Sequence, residues 1–216
     1  MATAERTCAE QRIVMHGVSW RTYQSLLADR GERGSPRMSY DQGSLELMSP
    51  SDEHERYKKR LGYMIVFWAL ENGIPLASLG STTFLRKEQR RGLEPDECYY
   101  IQHESLVRGK LGIDLSVDPP PDLVVEVDVS SKSLRKLRLY AGLQIPEVWR
   151  FDREALTVHE LHADGLYAVR PDSVQLPGFP TSETGQWISR AETMDEMSWL
   201  RSFQDWARQR GEQTGG

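Results

Sequence analysis

Glu126 and Asp128 lie inside the run PDLVVEVDV (121–129), where five of nine residues are apolar and four are valine. A short valine-rich run between breakers, here Pro119-Pro120-Pro121 and Ser130-Ser131, predicts a strand buried on both faces. Side chains alternate along a strand, so residues 126 and 128 share one face. A buried carboxylate is costly unless it is paired, hydrogen-bonded or bound to a metal. Asp96 follows Pro95 at the start of a second strand-like run, ECYYI. If the two strands are neighbours, Asp96 and Glu126 converge, and the backbone carbonyl of Val127 offers a third oxygen. Hard oxygen donors with room for water suit Mg²⁺ or Mn²⁺ rather than zinc. Such a metal lowers the pKa of bound water and stabilises charge on a phosphoryl oxygen. Lys136, on the helix that follows, is placed to orient that water.

Each residue also has an ordinary structural reading. An Asp after Pro commonly hydrogen-bonds nearby backbone in a turn. Glu126 could be half of a buried pair with an Arg or Lys, and Asp128 a polar strand end. Glu55 fits as an acid at a helix N-terminus, favoured by the dipole. His54 reads as an exposed helix residue and Lys136 as a surface lysine. The combination, rather than any single member, points to a site.

The elements that must position these residues follow from the pattern. Residues 1–18 read as a flexible lead-in. Ser19 caps a helix carrying Trp20, Tyr23, Leu26 and Leu27, stopped at Gly31. MSY, a DQG turn and SLELM form a hairpin over 38–48. Asp52 and Glu55 resemble a capping box opening the longest helix, with Tyr57, Leu61, Met64, Ile65 and Trp68 at helical spacing and Asn72-Gly73 at its end. Strand character returns in LASL and TTFLRK, and residues 102–120 read as irregular. After the valine strand, Ser131 or Ser133 caps a helix over Leu134, Leu137, Tyr140 and Ala141. Pro146 then opens the strand EVWRFD, so strand, crossover helix and strand make a parallel pair. LTVHEL, an Asp164-Gly165 turn and LYAV make a hairpin. Thr193 and Glu196 cap a C-terminal helix with Met197, Leu200, Phe203, Trp206 and Ala207 on its apolar side, and the tail 211–216 is frayed. The sum is an α/β fold, a mixed sheet flanked by helices, in a single domain over 19–210.

Composition narrows the function classes. The chain has 216 residues, 38% of them hydrophobic, with a formal net charge of -5 and a mean hydropathy of -0.57. The apolar stretch near Tyr63–Leu70 is flanked by Lys58, Lys59, Arg60 and Glu71, so no membrane span is expected. The first residues, MATAERTCAEQR, lack the apolar centre of a signal peptide, so a cytoplasmic protein is expected. Two cysteines, Cys8 and Cys98, make no disulfide or zinc framework. The negative charge argues against nonspecific coating of nucleic acid. Three basic runs nevertheless flank the acids: Arg56 to Arg60, Arg86 to Arg91 and Lys132 to Arg138.

The blocks MSYDQGSLELMSPSDEHE (38–55), LEPDECYYI (93–101), PPDLVVEVDVSS (120–131) and LYAGLQIPEVWRFD (139–152) together resemble the Uma-type restriction endonuclease family of the PD-(D/E)XK nuclease superfamily. The resemblance implies a restriction-endonuclease-like core, with an N-terminal helix and hairpin and a C-terminal hairpin and helix. It implies Mg²⁺-dependent hydrolysis of DNA phosphodiester bonds. By position Asp96 and Glu126 match the two acids of the superfamily motif, and Glu55 matches an acid that some members add. The pattern wants lysine two residues after Glu126, where this chain has Asp128. Either Lys136 from the next helix takes that role, or Asp128 serves as a third metal ligand. A homodimer is expected by analogy with enzymes that cut both strands. The competing expectation is an inactive module that keeps the fold for nucleic-acid or protein binding. No G-x-S-x-G, H-E-x-x-H or Cys-His pairing supports an unrelated hydrolase.

Overall fold

A computed structural model describes residues 10–31, 33–129 and 135–214. Eleven strands and six α-helices are assembled in them around two sheets rather than the single sheet expected. The first sheet contains β1 (Gln11–Met15), β2 (Arg37–Asp41), β3 (Ser44–Ser49), β5 (Phe84–Arg86) and β6 (Arg91–Leu93), in the order β1-β3-β2-β6-β5 and antiparallel throughout. The second contains β4 (Ala77–Ser78), β7 (Glu97–Tyr100), β8 (Leu123–Val127), β9 (Glu147–Phe151), β10 (Leu156–Leu161) and β11 (Tyr167–Arg170), in the order β11-β10-β9-β8-β7-β4. Only β8 and β9 run parallel, which makes this sheet mixed.

Alternation on two faces explains why a second sheet forms. On β2 and β3, Met38, Tyr40 and Leu45 are buried against α1 (Trp20–Arg30) through Tyr23, with Leu26 and Leu27 packed alongside. The polar side chains between them face the other way and require a different neighbour. The hairpin turn is tight because Gln42 and Gly43 both have positive φ, 46° and 108°. Residues 11–15, expected within a flexible lead-in, add to the outer edge of β3 as β1.

In the second sheet β8 is buried along its whole length, as the valine run predicts. Leu123 and Val125 face the larger core, with Leu61, Ile65 and Trp68 of α2 (Asp52–Glu71) and Phe203 of α6 (Glu196–Thr214). Val124 faces the other side, against Leu139, Tyr140 and Leu143 of α4 (Arg135–Leu143). Leu134 and both serines proposed to cap α4 fall outside the described residues, as do Cys8 and the last two glycines.

Several helix details depart from expectation. Ser51, rather than Asp52, caps α2, accepting from the His54 amide at 3.1 Å. Asp195, rather than Thr193, accepts from the Ser198 amide at 3.0 Å at the start of α6. There Trp199 is buried while Met197 is exposed. Within 102–120 a single turn, α3 (Glu104–Val107), interrupts the irregular stretch. Residues 184–190 form α5 (Thr184–Arg190), for which no helix was expected. Among the described residues no helix is long and apolar enough to cross a membrane.

Candidate active site

Asp96 sits where the chain leaves β6 and enters β7, so three residues, Glu94-Pro95-Asp96, carry it from one sheet to the other. Glu94 is fixed by Arg30, by the Met38 amide at 2.9 Å and by Thr83. Pro95 has no amide to satisfy and sets its own φ. β7 pairs antiparallel with β8, with Glu97 opposite Val125 and Cys98 opposite Val124. One step further along this register, Asp96 stands beside Glu126 on the face shared by Cys98 and Val124. The two strands are neighbours, as the convergence of these acids requires.

Both carboxylates are buried, Asp96 at 0% and Glu126 at 2% exposure. Asp96 Oδ2 accepts the Val127 amide at 2.7 Å. Its Oδ1 contacts the Arg37 guanidinium and lies 3.0 Å from His54 Nε2. Glu126 Oε2 accepts from Lys136 Nζ at 2.6 Å, and Oε1 accepts from the Tyr140 hydroxyl. Burial by itself would raise the Glu126 carboxyl, but Lys136, Tyr140 and Arg37 bring it below its ordinary value. Burial beside that carboxylate drives the Tyr140 hydroxyl far upward, so it stays a donor.

The remaining candidates lie around this centre. Asp128 is next to it, and its Oδ2 is held by Arg150, with Nε at 2.8 Å. Burial and the nearby Glu126 charge raise its pKa, against the pull of Arg150. Glu55 is at the rim, paired with Arg37 and 3.5 Å from Lys58. Lys136 is buried, not a surface lysine. His54 is also a correction: expected to be exposed, it is fully buried between Asp96 and Glu10, whose Oε2 is 3.3 Å from Nδ1.

Arg37, His54 and Tyr140 were not among the predicted site residues. Two left a signal in the sequence. His54, Leu61, Ile65 and Trp68 recur at helical spacing, so His54 belongs to the buried stripe of α2. Tyr140 follows Lys136 by four residues on α4 and projects from the same face. Arg37 left none, because its approach depends on how one sheet packs against the other.

The donor set fits a hard divalent cation sparingly. Asp96 and Glu126 supply carboxylates from adjacent strands, with Glu55 at the rim. Among the described residues no group of three or more His, Cys, Asp or Glu forms a ready cage. Such a site would leave positions for water and phosphate oxygens, which is how Mg²⁺ is usually held.

The profile of the Uma2 family, described as "Putative restriction endonuclease", matches residues 20–190. No curated protein matches the chain. The crystal structure of a putative nuclease belonging to DUF820 from Anabaena variabilis ATCC 29413 superposes with a TM-score of 0.54 at 15% identity, covering 79% of this chain and 99% of that one. At that identity the likeness establishes a shared fold. The match over 20–190 spans the crossing segment, both strands with the buried acids and the helix bearing Lys136, and the chain belongs to the Uma2 family of restriction-endonuclease-like proteins.

Proposed function

We propose that this protein is a divalent-metal-dependent endonuclease that hydrolyses DNA phosphodiester bonds. The carrying observation is the convergence of Asp96, Glu126 and Lys136, from three separate elements, in one buried cluster. Asp96 and Glu126 hold Mg²⁺ or Mn²⁺, with the Val127 carbonyl as a third oxygen. When bound, the cation supplies an activated water and neutralises charge on the phosphate.

The chain's own groups do the positioning. Tyr140 and Lys136 fix the two oxygens of Glu126. The Val127 amide fixes Asp96 Oδ2, and Arg37 and His54 close around Oδ1. Lys136 directs its ammonium hydrogens at the incoming water and the phosphate oxygen, raising the share of correctly oriented encounters. Glu55 assists from the rim by holding Arg37. Asp128 holds Arg150 beside Glu126, and we assign it to that role rather than to the metal. A homodimer would place one such site on each strand of a duplex.

A second reading has its own observation. Asp96 meets Arg37 and Glu126 meets Lys136, so both acids are matched by internal cations, as in a binding module that has given up catalysis. Incubation of supercoiled plasmid with Mg²⁺ or Mn²⁺ decides between them. Nicking or linearisation by the wild type, abolished by chelation and by Asp96→Asn, is expected. No cleavage with either metal, combined with no Mn²⁺ uptake by calorimetry, gives the binding module.

A further inference from the structure

Two hollows lie along α4, and Lys136 of the buried cluster borders the smaller of them. Between the polar face of β1–β3 and α4 is a cavity of about 360 Å³, bordered by Lys136, Arg138, His16, Asp41 and Glu46. That is the lower end of the ~300–1,000 Å³ range that encloses one small ligand. Further along the same two elements lies a depression of about 940 Å³, lined by Trp20, Tyr40, Gln42, Arg90, Arg91 and Gln144. Both hollows are walled by the β2–β3 hairpin and by successive turns of α4. The nine residues of α4 span about 13 Å at ~1.5 Å each, roughly four stacked nucleotides at ~3.4 Å per phosphate.

The charges along this track are unevenly satisfied. Asp41 is taken by Arg91 at 2.9 Å and Glu46 by Arg12 at 2.9 Å. Arg90 and Arg138 are exposed, and neither has an ion-pair partner among the described residues. Of the described residues lining the larger hollow, Glu88 is the remaining acid. Trp20 is half-buried there, its ring 5.4 Å from that of Tyr40. Gly142 lets the Arg91 side chain approach α4 closely, since a Cβ at that position would collide with it. Exposed cations, an aromatic platform and side-chain amides in one groove are the features that hold an unpaired strand by backbone charge and base stacking.

Building on the nuclease reading above, we propose that the substrate strand is unpaired where it is cut. It runs along α4 from Lys136 to Gln144 and stacks a base against Trp20, with Arg90 on its phosphate.

The test is fluorescence anisotropy with a short labelled oligothymidylate, alone and annealed to oligodeoxyadenylate, with the metal chelated so that nothing is cleaved. The single strand should bind about tenfold tighter than the duplex, and Trp20→Leu should weaken it roughly tenfold, the scale of one base–aromatic stack. Arg90 has a φ of 51°, a conformation that asparagine tolerates, so Arg90→Asn removes the charge without straining the turn. It should weaken binding severalfold, and it decides the matter alone if Trp20→Leu does not fold. Equal or tighter duplex binding, or wild-type affinity in folded Arg90→Asn, overturns the proposal. Strand binding through these residues without cleavage on adding Mg²⁺ leaves the track standing and removes the nuclease reading. Cleavage of plasmid that is indifferent to both substitutions removes the track and leaves the nuclease.

Discussion

Lys136 Nζ donates to Glu126 Oε2 at 2.6 Å between a strand and a helix whose connecting segment, 130–134, falls outside the described residues. Both ends of the pair are buried, so each partner is the condition for the other's charge. Removing one partner of such a pair leaves an uncompensated charge, typically costing about 3 kcal/mol or more. Glu126→Gln is therefore expected to lose Mn²⁺ binding and cleavage, and also about 3 kcal/mol of stability. Calorimetry and urea unfolding of the same sample separate the two effects. Lys136→Met should unfold at lower urea too, yet keep Mn²⁺ affinity near wild type while the rate falls. An unaltered rate would remove the lysine from the reaction.

Tyr140→Phe takes away one hydroxyl and leaves the packing of α4 against Val124 in place. A hydrogen bond to a charged group contributes about 1.5–3 kcal/mol. The loss in urea should fall in that range, and the Glu126 carboxyl should titrate higher by NMR than in the wild type.

Glu94→Ala tests the support beneath the site rather than the site itself. Its carboxylate takes Arg30, the Met38 amide and Thr83 at once, and it is buried. Its loss leaves a half-buried guanidinium and a buried amide without their acceptor, and a cost of about 3 kcal/mol is expected from the broken pair. Cleavage should fall with it at temperatures where the variant is still folded, because Asp96 is two residues on.

His159 makes the fold sensitive to mild acid. Its burial, with repulsion from Arg150, lowers its pKa below the ordinary 6.5. As pH falls through 6.5 the unfolded chain takes up a proton that the folded one refuses, so stability declines until the lower folded value is passed. Glu126 behaves in the opposite range. Its depressed carboxyl keeps its contribution above 4.5 and gives it up only as pH falls through the folded value. Between pH 7 and 5 the melting temperature of the wild type should fall further than that of His159→Gln. Parallel curves would assign the acid sensitivity elsewhere.

Much of this arrangement is legible before any coordinates. A valine run containing one glutamate can be reconciled with burial only if that glutamate has a partner, and the strand–helix–strand order brings Lys136 back over it. Two-residue alternation then places Glu126 and Asp128 on one face, and the pairing of β7 with β8 brings Asp96 to it. That the hairpin strands form a separate sheet was not legible, because β1 is short and its pairing with β3 links residues thirty or more positions apart. The surroundings of Asp96 were hidden for the same reason. Arg37 reaches it, and Glu10 reaches His54, only once the two sheets are packed, and His54 is covered by that packing although its first-turn position reads as exposed.

The three-residue crossing from Leu93 to Glu97 sets a limit on how this chain can change length. Inserting one residue between Asp96 and Glu97 would keep β7 paired but turn Asp96 to the opposite face, away from Glu126, since a shift of one residue exchanges the faces of a strand. Residues 102–120 carry no such restriction, and Leu111 and Val117 there are already exposed. Natural insertions and engineered fusions should therefore accumulate in that segment, and an internal label placed there would leave the distance between the acids untouched.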